Sequence, residues 1–122
     1  MIENVLFEFV RGNTFEKDFT ITGWSFPITK AYFTVKGTLK DKNAVLQKTL
    51  NDGITLVSDE EGVKTYNLSI CCTDTENMKT DYDYTFDVEI HSPGVGDDVI
   101  KKTIMTGTLR LKAESTRACN EC

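Results

Sequence analysis

The chain has 122 residues, 39% hydrophobic and 27% charged, with only two prolines, which suits a single folded domain and excludes a linker or a disordered tract. Its 14 Lys and Arg against 19 Asp and Glu leave a net charge of -5, which opposes a phosphate backbone, so nucleic acid is not an expected partner. Nothing approaches the roughly 18 apolar residues of a membrane span, and MIENVLFEFVRG lacks the basic start and long apolar run of a signal peptide, so no membrane partner and synthesis in a reducing cytoplasm are expected.

Helical spacing is nearly absent, whereas period-two alternation of β-branched and aromatic residues recurs along the chain. The first strand is IENVLFEFV, closed by a tight Arg11-Gly12-Asn13 turn in which Gly12 relaxes the backbone. FEKDFTI follows, with Phe15, Lys17, Phe19 and Ile21 on one side, and GWSFP turns the chain. In AYFTVKG, Ala31, Phe33 and Val35 face one way and Tyr32, Thr34 and Lys36 the other. The polar LKDKN leads into AVLQKTL, Asn51-Asp52-Gly53 is a turn, and ITLV and VKTYNLSI form a hairpin whose Gly62 takes a positive φ. Thr73-Asp74-Thr75-Glu76 has capping-box spacing, which predicts one helical turn over 73–78.

The stretch TDYDYTFDVEIH, 80–91, is the most chemical in appearance, with Asp81, Asp83, Asp87 and Glu89 leading to the only histidine, His91. Alternation divides it: Tyr82, Tyr84, Phe86, Val88 and Ile90 go to a core, and the carboxylates and His91 go to the opposite, solvated face. HSPGVGDD then turns the chain into VIKKTIMTGTLRLKA, with His91 as a turn residue. Pairing Ile90 with Ile100 would place Phe86 beside Ile104, Glu89 beside Lys101 and Asp87 beside Thr103. Leu109 and Leu111 also require the core, so a bulge near Gly107 is expected to switch parity. About seven or eight strands with turns every ~8 to 12 residues read as a β-sandwich over 1–114, followed by a tail over 115–122.

On this reading catalysis has no seat, because a solvated strand face does not shift carboxylate pKa values and no GxSxG, papain-like or nucleotide-binding motif occurs. Adjacent Cys71 and Cys72 are poorly placed to bridge each other, and the Cys119 and Cys122 CxxC tail lacks two further zinc ligands, so no disulfide framework, metal or other cofactor is expected. Trp24 and Phe26 fall in a turn, and with Tyr32 they form the candidate interaction surface. A second reading has these aromatics contact a carbohydrate or cell surface, and a third is an enzyme or a zinc or redox protein using His91 or the cysteines.

In order, FVRGNTFEKDFTITG, FPITKAYFTVKGTLKDKNAVLQKTL, NDGITL, YNLSICCTDTENM, YDYTFDVEI and TIMTGTLRLKAEST resemble a family of small phage and prophage proteins that includes the N-terminal domain of the phage baseplate upper protein. The similarity spans nearly the whole chain. It implies an immunoglobulin-like antiparallel β-sandwich in a structural component of a virion, non-enzymatic, with other virion proteins as partners and no catalytic residue to carry over. By length, a free-standing head, neck or tail accessory is expected to fit better than a baseplate protein. A homo-oligomer is one way for such a sandwich to protect its edge strands.

Overall fold

The computed structural model describes residues 2–24, 27–60, 62–94 and 98–113. Phe26 and the expected tail with Cys119 and Cys122 lie outside the described residues. Eight strands carry the fold: β1 (Ile2–Val10), β2 (Phe15–Thr22), β3 (Lys30–Lys36), β4 (Leu46–Leu50), β5 (Gly53–Glu60), β6 (Val63–Ile70), β7 (Asp83–Pro93) and β8 (Val99–Lys112). One short helix, α1 (Cys72–Thr75), links β6 to β7. The protein is all-β, as its alternation predicts, and no helix among the described residues is long and apolar enough to cross a membrane.

The strands form one sheet in the order β1-β8-β7-β3-β4-β5-β6-β2. Its end strands, β1 and β2, are consecutive in the chain, and the Phe9 and Phe15 rings stack across them with centroids 4.5 Å apart, so the sheet curls nearly into a barrel. The expectation of purely antiparallel pairing is corrected at two places, because β1 runs parallel to β8 and β4 meets β5 in parallel. After β1 the chain turns away to β2 at the far end of the sheet, which leaves β1 lying along β8 in the same direction. The β4–β5 contact spans only Thr49 with Gly53 and Leu50 with Ile54, a joint where the chain passes from one wall to the other.

The core lies between the walls. Ala31, Phe33 and Val35 of β3, Leu68 and Ile70 of β6, Val88 and Ile90 of β7, and Leu109 and Leu111 of β8 are all buried. Phe7 stacks on Phe86 at 4.6 Å and tilts against Phe15 at 5.2 Å, while Phe33 meets Phe86 at 5.3 Å. Each such side chain contributes about 1.5 to 3 kcal/mol by leaving water.

The β7–β8 hairpin differs from its expected register by two residues near the turn, where Ile90 faces Lys102, His91 faces Lys101 and Glu89 faces Thr103, and by three beyond it, where Phe86 faces Gly107. Parity does switch, but between the Glu89–Thr103 and Val88–Met105 pairs, with Ile104 as the extra residue. Gly107 has a different role. A Cβ there would lie 2.1 Å from the Val5 carbonyl oxygen and 2.8 Å from the Phe86 ring, so glycine lets β1 and the ring close onto β8.

The helix also starts earlier than its spacing suggests. Asp74, not Glu76, accepts the N–H of the N-cap residue, Cys71, at 2.7 Å, and its carboxylate pairs with Lys48 at 2.8 Å. Thr75 is fully buried, and its hydroxyl accepts the Gly12 N–H at 3.0 Å, while Arg11 donates to the Met78 carbonyl at 2.9 Å. The Arg11-Gly12 turn, with Gly12 at φ 85°, is thereby tied to the helix. Cys72 is disulfide-bonded, a single bridge in a chain whose sequence suggests no disulfide framework.

Candidate binding site on the polar face of β3, β4 and β7

The outward residues of β7 do not share one environment. At the N-terminal end, Asp83 accepts from Arg110 Nε at 2.6 Å, Arg110 reaches Glu8 at 3.1 Å, and Lys112 lies 3.4 Å from Glu8. This is a cross-strand ladder of alternating charge over β7, β8 and β1. Hydrogen bonds from Arg110 hold the Asp83 and Glu8 carboxyls below their usual range. The Arg110 guanidinium is held firmly charged by the same two partners.

Further along β7 the surface becomes concave. Asp87, Glu89 and His91, Tyr32, Thr34 and Lys36 of β3, and Gln47 of β4 line a groove of about 550 Å³ walled by Lys42, Asn43 and Ala44. Registry explains the grouping, because Tyr32 lies opposite Glu89 and Thr34 opposite both Asp87 and Gln47. The wall is braced from below. Tyr82 donates its hydroxyl to the Gly37 carbonyl at 2.9 Å, and Asp41 accepts both the N–H and the hydroxyl of Thr38 at 3.0 Å. Val45 then donates to the Val35 carbonyl at 2.8 Å, which returns the loop to the sheet.

His91 is a strand residue here, not a turn residue, because β7 continues to Pro93. Its Nε2 lies 2.5 Å from Glu89 Oε1, and its ring lies 5.1 Å from that of Tyr32. Gln47 donates its amide to the Thr34 hydroxyl at 3.0 Å. Asp87 differs from its neighbours: it is half-buried and has no hydrogen bond or ion pair among the described residues. Burial, and then Glu89, push its pKa up, against the pull of Lys36. The fully solvated strand face expected from alternation is therefore corrected at this end, where the 37–45 loop rises beside the strands.

Of the sequence candidates, Tyr32 lines this groove and Trp24 does not. Trp24 is half-buried against the core; its Nε1–H donates to the fully buried Ser92 hydroxyl at 2.9 Å, and the Lys102 ammonium lies 5.7 Å from its ring centre. Ser92 adjoins His91 in sequence but points to the opposite face, so the two do not form a nucleophile–base pair. Among the described residues no three His, Cys, Asp or Glu side chains are grouped to hold a metal ion. The groove thus offers placed donors and acceptors around an aromatic pair, a binding geometry.

Sequence reasoning missed Lys36, Gln47 and Asp87 as neighbours. Their common signal was the outward parity of FTVK, AVLQKTL and YDYTFDVEI, which places them on one face once strand order is known. No protein-family model matches the chain, and no curated protein matches it.

Proposed function

We propose that the chain is a non-enzymatic structural and protein-interaction module of a bacteriophage or prophage particle, built on an immunoglobulin-like sandwich. The sandwich reading is supported by the narrow β4–β5 joint, which divides the sheet into β1-β8-β7-β3-β4 and β5-β6-β2. It is also supported by a tyrosine corner: Tyr84, at the start of β7, accepts the Lys79 N–H at 2.8 Å. The particle reading is supported by the order and spacing of the motifs that resemble small phage proteins.

The observation that carries an assembly role is the open edge of β5. Beyond Ile54, no strand among the described residues pairs with β5 on the side away from β6, and Leu56 and Val57 are exposed there. Such an edge is a template for strand addition, and one left this bare is best explained by a partner or a second copy that covers it. The test is mass spectrometry of purified particles from a strain carrying the gene. The chain is expected at a fixed stoichiometry to other virion proteins, and its absence from intact particles would overturn the proposal.

A further inference from the structure

We propose that the groove over β3, β4 and β7 binds a neutral, hydroxyl-rich ligand, a saccharide unit, with Asp87 as the principal acceptor and the Tyr32 ring as its apolar platform. This site is distinct from the β5 edge and does not depend on membership of a particle.

The surface chemistry singles the groove out. Several other carboxylates on the outside of the sheet have partners: Asp83 and Glu8 share Arg110, Asp59 pairs with Lys64 at 2.8 Å, and Asp18 accepts from Asn67 at 2.9 Å. Asp87 is desolvated without such a partner, and a half-buried carboxylate of this kind gains from any donor that enters. Hydroxyl groups are suitable donors. The donation from Gln47 to Thr34 orients that amide and leaves its carbonyl oxygen as a second acceptor.

Charge and shape narrow the ligand class. Lys36 and Lys42 balance Asp87 and Glu89 around the groove, so its lining favours neither an anion such as phosphate nor a cation. The absence of a three-ligand cluster among the described residues argues in the same direction for metals. The tilted Tyr32 and His91 rings supply an aromatic surface against which the C–H face of a pyranose can lie. The volume, about 550 Å³, falls within the roughly 300 to 1,000 Å³ of small-molecule sites, and the braced wall means the groove exists before the ligand arrives.

The test is an amide ¹H–¹⁵N NMR titration of the full chain with maltotriose, chitotriose and raffinose, and separately with inorganic phosphate and calcium. Saturable shifts at Tyr32, Thr34, Gln47, Asp87 and His91 are expected with at least one saccharide. Binding should weaken tenfold or more in Asp87→Asn, which keeps the shape of the side chain, and in Tyr32→Ala, but not in Lys17→Ala on exposed β2. If Tyr32→Ala loses its native spectrum, Asp87→Asn alone decides. Absence of saturable groove shifts with all three saccharides overturns the proposal, as do groove shifts produced only by phosphate or calcium, or saccharide binding unaffected by Asp87→Asn.

Discussion

The sheet has two parallel seams, and they could hardly be less alike. β1 and β8 run together from Ile2 with Met105 to Val10 with Lys112, whereas β4 and β5 separate after Leu50 and Ile54. At the first seam Gly107 removes the side chain that would hold the backbones apart, and Phe7 stacks on Phe86 across it. At the second seam, Gly53 at φ 102° turns the chain, and the Lys48 side chain packs where its Cβ would be. Pairing type therefore does not decide closure here. What decides it is whether the residues at the junction let backbone approach backbone, and the outcome gives the molecule one sealed flank and one open flank.

The comparison breaks most severely at Gly107. In Gly107→Ala the new methyl collides with the Val5 backbone and the Phe86 ring, neither of which can yield without moving β1 or the aromatic cluster. A loss of about 3 kcal/mol or more is expected, within the upper range of overpacking. A lower urea midpoint with an unchanged slope would report it. A midpoint within ~0.5 kcal/mol of the parent would show that the sealed flank does not depend on the close approach.

On the same flank but away from either seam, Tyr84→Phe removes the acceptor for the Lys79 N–H while keeping the ring in place. The expected cost is about 1 to 2 kcal/mol, the usual result of leaving an amide without its partner. Thermal unfolding measures it. An unchanged midpoint would remove the tyrosine corner from the account of how α1 and β7 are joined.

The open flank should respond in the opposite sense. Val57 is the bulged residue between the Leu56–Tyr66 and Ser58–Thr65 pairs and is exposed, so Val57→Lys should change folding stability by less than about 0.5 kcal/mol. Self-association or capture of a particle partner through that edge should nevertheless fall, because an edge lysine opposes strand addition. Analytical ultracentrifugation separates the two effects. A large stability loss would mean that the β5 edge belongs to the core and is not free for assembly.

How much of this was legible beforehand depends on distance along the chain. The faces of FTVK and YDYTFDVEI could be read because alternation is local, and Phe33, Val35, Phe86 and Val88 are buried as alternation requires. A parity switch in β8 was legible from the conflict between Ile104 and the two leucines, but its location was not. Gly107 resembles a bulge in sequence, and only the approach of β1 reveals it as a contact. Parallel pairing of β1 with β8 joins the two ends of the described chain and leaves no local trace. The groove was illegible for the same reason: Lys36, Gln47 and Asp87 meet only through strand order, and the wall that shelters them is built from LKDKN, which reads as an ordinary polar crossover.

The smallest expected effect distinguishes the two ends of β7. Asp83 is held ionised by Arg110, so its contribution to stability is present above the unfolded carboxylate range and is lost as pH falls through its lowered folded value. Asp87 runs the other way. Burial and Glu89 raise its pKa, so the folded state holds the proton more tightly than the unfolded state, and the stability that the proton brings is lost as pH rises through the raised value. At neutral pH the ionised group therefore opposes folding, and Asp87→Asn should stabilise the protein. Solvent screening on a half-exposed group keeps the gain to a few tenths of a kcal/mol, about 0.5 at most. The gain should shrink as pH falls through the raised value, where the parent carboxyl takes up its proton and becomes neutral like the amide. Paired thermal melts at pH 7 and pH 4 read this difference. Equal stabilisation at both pH values would assign the effect to packing and not to charge, and destabilisation at pH 7 would mean that Asp87 already has a partner that balances its desolvation.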